Sequence, residues 1–319
     1  MTKKVLITRM INKECIAKLE KDFEVVVWPE YEIPMPREKF LEEVKDAHAV
    51  MTMLSEQVDE EVLSLAENLH VISNLAVGYD NIDLETAKRK NIVVTNTPEV
   101  LTETTAELAF TMMLMSARRV IEANKELTDG SWTGWSPYHM AGTDVYGKTV
   151  GIFGMGAIGA AFARRLNGFD CKVLYHNRSE SDYAKNLNAD LVSFDELLNQ
   201  SDFVLCAAPL TSETKHTFDK TAFEKMKNTA HFINIGRGGH VVENDLKNAV
   251  ETGEIAAAAL DVFDKEPIGS DHPFVGLKNM TLLPHIGSAS VDTRDKMMEL
   301  CINNILQVLN GGKPFTPVE

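Results

Sequence analysis

Two successive alternations of strand and helix constrain this chain more than any other feature. In the first hundred residues the β-rich runs KVLIT, EVVVW, AVMTML, HVISNL and NIVVTN are separated by charged segments of helical periodicity, such as NKECIAKLEKD and DEEVLSLAEN. Such alternation builds a parallel sheet covered on both faces, so these five units predict a small open α/β domain. A second alternation begins at Lys148, with the runs KTVGIF, CKVLYH, DFVLCA, HFINI, AAAALDVF and MTLLP. Six parallel strands match a doubly wound nucleotide-binding sheet. Between the two alternations one long helix is expected from about Leu101 to Leu127, followed by the Gly-, Trp- and Pro-rich loop DGSWTGWSPYHMAGTDVYG. Ser288 to Asn310 reads as one amphipathic helix ended by GGKP. It is too short to be a domain and has to pack on another.

The chain has 319 residues, a length of about two domains, and a net charge of −15. That charge argues against nucleic acid or an anionic membrane as partner, since either needs a basic face. A local cationic pocket for a small anion remains open. Cys15, Cys171, Cys206 and Cys301 are scattered, with no metal-ligand spacing, and read as buried free thiols of a reducing cytosol. The apolar run in MTKKVLITRM is too short for a signal peptide, and LAFTMMLM is far shorter than a membrane span. A soluble, cytoplasmic protein without metal is expected.

The stretch GIFGMGAIG supplies Gly154, Gly156 and Gly159 in the pattern G-x-G-x-x-G, with Met155, Ala157 and Ile158 between them. It follows an apolar strand and opens the helix AIGAAFARRL, the context that a dinucleotide-binding turn requires. Gly154 allows the tight turn, Gly156 lets backbone approach a pyrophosphate, and Gly159 lets helix lie close to strand. The first N–H groups of the helix then face the phosphates. The next strand ends in VLYHNRSE, where Asn177, Arg178 and Ser179 stand in place of the Asp or Glu that usually holds a ribose hydroxyl. The planar fork of an arginine suits a phosphate dianion, so NADP(H) is favoured as cofactor, with NAD(H) the alternative.

Three further stretches lie at later strand ends, where open α/β sheets bind ligands. Arg237 follows HFINI, Glu266 follows AAAALDVF, and His285 follows MTLLP. Taken singly, each has an ordinary structural reading. Together, a cation, a carboxylate and an imidazole suit reduction of a small anionic carbonyl compound. His285 can donate a proton near neutral pH. Glu266 can fix its tautomer, and Arg237 can bind a carboxylate bidentately and polarise the carbonyl.

These stretches, with NLAVGYDNID, TNTPEVLTETTAELAF, FINIGRGG, AAALDVFDKEP and LPHIGSA, resemble the D-isomer-specific 2-hydroxyacid dehydrogenases over nearly the whole length, and within them the glyoxylate/hydroxypyruvate reductases. The resemblance implies that Arg237, Glu266 and His285 are catalytic. It implies that Val77 and Gly78 bind the substrate carboxylate through their N–H groups, with Leu54, Ser288, Arg237 and His285 also at the substrate. It places Thr105, the Gly154–Gly159 turn, Asn177, Arg178, Ser179, Pro209, Thr214, Ile235, Asp261, His285 and Gly287 at the cofactor. It implies a flavodoxin-like substrate domain, residues 1–99 and 288–319, with a Rossmann-type cofactor domain, residues 100–287, inserted in it. The latter carries a dimerisation helix and the Trp loop of a homodimer, from which Trp135, or Trp132 as second choice, reaches toward the neighbour's active site. Gly236 stands where a slightly larger residue is common, which loosens the Arg237 loop. A D-lactate-type or branched 2-ketoacid reductase using NADH is the alternative within the class. Phosphoglycerate dehydrogenase fits less well, because many carry an added regulatory domain. A dinucleotide-sensing binding protein of the same fold is the alternative from another class.

Overall fold

Four-residue runs of aliphatic side chains are long enough for buried strands and too short for helices, and in the computed structural model they form two all-parallel sheets. The structure describes residues 2–318. The chain divides into two compact units, residues 1–101 with 289–319, and residues 102–288.

The first unit holds β1 (Lys4–Ile7), β2 (Glu24–Val27), β3 (Ala49–Thr52), β4 (Val71–Asn74) and β5 (Val93–Thr95), in the order β2-β1-β3-β4-β5. This is the flavodoxin-like order. β1, β3 and β4 are buried along their whole length, as expected of strands covered on both faces. The tail forms one helix, Val291–Leu309, capped by Ser290. It completes this unit by burying Met297, Cys301, Ile302 and Ile305. The fully buried Asn304 then holds the last residues, its Oδ1 accepting from Phe315 N–H at 2.7 Å.

The second unit holds β6 (Thr149–Phe153), β7 (Lys172–His176), β8 (Ala189–Leu191), β9 (Phe203–Cys206), β10 (His231–Asn234), β11 (Ala257–Leu260) and β12 (Met280–Leu282), in the order β12-β11-β10-β9-β6-β7-β8. Successive residues of a strand face opposite sides, and the two core clusters show it. Ile152, Val173, Phe203, Leu205 and Ile233 pack on one face, and Phe153, Leu174, Val204, Cys206 and Phe232 on the other. The sheet has seven strands, not the six expected. The extra one, β8, is short, largely exposed and sits at the edge, so its sequence carries no apolar signal.

The long helix is also two. Thr102–Ala117 and Val120–Thr128 are separated at Arg119, whose φ of 52° is left-handed. A loop packed on the helix end interrupts it. Thr143 N–H donates to the Ala117 carbonyl at 2.8 Å, and a Cβ on Gly142 would lie 2.1 Å from that same oxygen. Among the described residues no helix is long and apolar enough to cross a membrane.

Candidate active site

The strand order reverses at β6, whose neighbours are β9 and β7. The loops after these two strands therefore flank the glycine-rich turn and open a crevice at the carboxyl edge of the sheet. Gly154 has φ +101°, and a Cβ there would meet Ala208 N at 2.5 Å. Gly159 lies where a Cβ would meet Gly154 O, also at 2.5 Å. Gly156 is different: a Cβ would have nothing within 4 Å. It opens the helix Ala157–Leu166 and provides no side-chain cap, so the N–H groups of Ala157, Ile158 and Gly159 have no intrahelical acceptor. An uncapped helix start beside open space fits a pyrophosphate.

Asn177 and Ser181 brace this turn. Asn177 Oδ1 accepts from Met155 N–H at 2.7 Å, and Ser181 Oγ donates to Met155 O at 2.5 Å. The Met155 side chain is in the core. Arg178 and Ser179 are exposed. The tip of β7 is not free of carboxylate, as its own sequence suggests: Glu213, from the loop after β9, lies with Oε2 3.3 Å from Arg178 Nη1. Chain topology brings it there, because both loops border the same turn. In that loop Thr214 Oγ1 donates to Pro209 O at 2.8 Å, so the segment caps itself.

β10, β11 and β12 are consecutive neighbours, and strands lie about 4.8 Å apart. The stretches after them, carrying Arg237, Glu266 and His285, therefore emerge side by side. Glu266 Oε1 accepts from Phe263 N–H at 2.9 Å, and Oε2 lies 2.6 Å from His285 Nδ1. A carboxylate anchored at one oxygen orients the ring with the other. Nδ1 then carries a proton, and Nε2 is left for exchange. His285 itself has φ 54°, a backbone that a side chain adopts at a cost of about 1–2 kcal/mol. Asp261 holds it there: its carbonyl accepts from His285 N–H at 2.9 Å, and its carboxylate oxygens accept from Ile286 and Gly287 N–H at 2.8 Å each. Burial pushes the Asp261 carboxyl up, against the pull of the Ile286 and Gly287 N–H groups and of His285.

Gly287 lies between Asp261 and Thr105. A Cβ on Gly287 would lie 3.3 Å from Asp261 Oδ2 and 3.4 Å from Thr105 Cγ2. Ile235 is buried at the end of β10, and Ser288 is partly exposed beyond Gly287. The Arg237 turn is held from below. Asn234 Nδ2 donates to Arg237 O at 2.9 Å, and Asn234 Oδ1 accepts from Gly236 N–H at 3.0 Å. The space beside Gly236 is not slack, since the His240 ring and the Ala208 carbonyl occupy it. No pattern in the sequence marks Glu213, whose partner Arg178 lies in another loop, or His240, which bridges its own loop at Arg237 to the Pro209 loop.

In the first unit Leu54 follows β3, and Val77 and Gly78 follow β4, all at the carboxyl edge of that sheet. Asn96 and Asn74 donate to the carbonyls of Val77 and Gly78, both at 2.8 Å. Trp135 is 81% exposed and Trp132 54%, on an arm without regular structure. The structure does not bring either to the groups just described.

The family model for the NAD binding domain of D-isomer specific 2-hydroxyacid dehydrogenases matches residues 110–287. Glyoxylate reductase of Thermococcus kodakarensis is 47% identical over 323 aligned residues, covering 100% of this chain and 96% of that one. A solved structure from Thermus thermophilus superposes with a TM-score of 0.92 at 38% identity, covering 99% of this chain and 100% of that one. An NADPH-dependent glyoxylate/hydroxypyruvate reductase from Sinorhizobium meliloti, solved with NADP and malonate, matches with a TM-score of 0.86 at 30% identity, covering 100% of this chain and 97% of that one. With the family model matched over residues 110–287 and relatives matched along its full length, this chain belongs to the D-isomer specific 2-hydroxyacid dehydrogenases.

Proposed function

We propose that the protein reduces a small 2-ketoacid, glyoxylate or hydroxypyruvate, to the 2-hydroxyacid, with NADPH as the preferred cofactor. The observation that carries this reading is the His285–Glu266 pair, 2.6 Å apart and anchored by Phe263 N–H. A bound nicotinamide supplies the hydride that reaches the carbonyl carbon. His285 delivers the proton to the carbonyl oxygen from Nε2. Glu266 keeps the ring oriented by accepting from Nδ1–H. Arg237 binds the carboxylate and polarises the carbonyl. The reaction consumes one ketoacid, one reduced cofactor and one proton, and yields one hydroxyacid and one oxidised cofactor.

The helix start at Gly156 receives the pyrophosphate, Asp261 and Thr105 take the nicotinamide side, and Arg178 takes a 2′-phosphate. Glu213 beside Arg178 supports a second reading, in which this carboxylate accepts the ribose hydroxyls of NADH. The exposed Trp132, Trp135 and Tyr138 suit packing against a second copy of the chain. The test is a panel of glyoxylate, hydroxypyruvate, pyruvate and larger 2-ketoacids with each cofactor, followed by absorbance. We expect turnover of the two smallest polar ketoacids with NADPH, and a loss of about 10²–10⁴-fold in His285→Ala with cofactor binding retained. Absence of turnover with every ketoacid would leave a dinucleotide-sensing protein as the better reading.

A further inference from the structure

We propose that His240 is a positioning residue for Arg237, setting the place of its guanidinium by joining the Arg237 turn to the Pro209 turn. The proposal rests on the assignment of Arg237 to the ketoacid carboxylate.

The His240 imidazole is fully buried. Its Nδ1 lies 3.2 Å from Arg237 N and 2.9 Å from Arg237 O, and its Nε2 lies 3.3 Å from Pro209 O. The Pro209 and Arg237 carbonyls can both only accept. A proton on Nε2 satisfies two contacts, Nε2–H to Pro209 O and Arg237 N–H to Nδ1. A proton on Nδ1 would serve the Arg237 carbonyl alone and set Nδ1–H against Arg237 N–H, so the proton is assigned to Nε2. Nδ1 is then an acceptor, and Arg237 N–H donates to it. The Arg237 carbonyl is served by Asn234 Nδ2 instead. One ring thus receives a bond from the loop after β10 and gives one to the loop after β9. Arg237 belongs to the first loop. The second carries Pro209 and Thr214, which the resemblance places at the cofactor.

Gly236 makes this possible. A Cβ there would lie 3.2 Å from His240 Cε1, 3.4 Å from His240 Nδ1 and 3.1 Å from Ala208 O. The missing side chain and the imidazole are two halves of one packing arrangement. The backbone of His240 is fixed as well, with Phe218 N–H donating to its carbonyl at 2.9 Å. An apolar side chain of similar size would fill the space but leave Arg237 N–H without this acceptor. Bidentate binding by a planar guanidinium is sensitive to such shifts, and a displacement of about 1 Å in a positioning group can cost about 100-fold.

The test compares His240→Leu, His240→Asn and His240→Gln in the full-length protein. It reads KM and kcat for glyoxylate, Kd for NADPH by protein fluorescence, and Tm. Asparagine places an oxygen near the position of Nδ1, whereas glutamine places its amide near Nε2. We expect kcat/KM for glyoxylate to fall by about 10–100-fold in the Leu and Gln variants, with NADPH Kd changed by less than about 3-fold. The Asn variant should recover most of the loss. If all three variants keep the parent KM and kcat for glyoxylate, whatever happens to Tm, His240 is structural only and the proposal fails. Should the Leu variant not fold, the Asn and Gln pair carries the same contrast, and an equal loss in both overturns the proposal. Arg237→Ala in the parent background separates the two layers. An unchanged KM for glyoxylate there removes the substrate assignment of Arg237, and this proposal with it. A large rise in KM there, with no effect of His240→Leu, overturns the positioning role alone.

Discussion

Replacing Glu266 by glutamine tests the proton-delivery dyad with the least disturbance of shape. Glu266 Oε1 receives Phe263 N–H and Oε2 faces His285 Nδ1. A glutamine has one oxygen, and the Phe263 N–H needs it, so the NH₂ group turns toward Nδ1. Nδ1 must then accept, and a ring carrying two protons would set two donors against each other. The parent carboxylate does the opposite and accepts from Nδ1–H. Hydrogen bonds to charged groups contribute about 1.5–3 kcal/mol. The two side chains are 27% and 32% exposed, so the lower part of that range, about 1.5 kcal/mol, is the better figure after screening. About 1.36 kcal/mol is tenfold in rate, so kcat for glyoxylate should fall by about 10-fold while cofactor Kd stays unchanged. The assay is kcat for glyoxylate at saturating cofactor, with cofactor Kd measured alongside. A kcat equal to the parent's removes Glu266 from proton delivery. A matching loss of cofactor affinity shows that the change disturbs the site as a whole instead.

Arg178→Ala should weaken NADPH by roughly 10-fold, the lower end for a lost charge-assisted bond at an exposed site, and NADH much less; equal loss of both cofactors would refute the phosphate assignment. His231 is buried against Ser116 Oγ at 2.8 Å, and burial pushes its imidazole down to about 4. Its unfolded value is near 6.5, so the unfolded chain binds the extra proton first. The associated stability is fully present above about pH 6.5 and is lost as pH falls toward about 4, at about 1.36 kcal/mol per unit and about 3 kcal/mol in all. His231→Gln should flatten the urea midpoint over that window, and parallel profiles for parent and variant would contradict it. Gly154→Ala, with φ +101° and a Cβ 2.5 Å from Ala208 N, should lower stability by more than about 1 kcal/mol. Gly156→Ala, facing open space, should keep Tm and weaken dinucleotide binding. Similar Tm losses in both would show that Gly156 is a folding glycine rather than a ligand-facing one.

Local pattern in the sequence determines most of the architecture. Apolar runs bounded by turns, alternating with helical periodicity, require parallel sheets covered on both faces, and among the described residues eleven of the twelve strands coincide with the eleven runs the sequence displays. The pattern is silent on β8, because an exposed three-residue edge strand has no apolar face to display. It is silent on the break at Arg119 too. No Gly or Pro stands beside it, and what stops the helix is Gly142 and Thr143 returning from the loop to cover the Ala117 carbonyl.

The candidate site divides in the same way. That Arg237, Glu266 and His285 follow strands is visible in the sequence, because each stands a few residues beyond an apolar run. That their strands are neighbours, and that one Glu266 oxygen is taken by Phe263 N–H while the other meets His285, is decided by strand order and by the turn after β11. The tip of β7 shows the limit most directly. Read along the chain it offers Asn177 and Arg178 as donors for a phosphate. In the folded protein the Asn177 amide braces Met155, and Arg178 meets a carboxylate 35 residues away in sequence. Chemistry of residue type is written in the sequence. Which groups remain available to a ligand is settled only when parallel strands set their loops side by side, because hydrogen bonds between loops depend on distance in space and not on spacing along the chain.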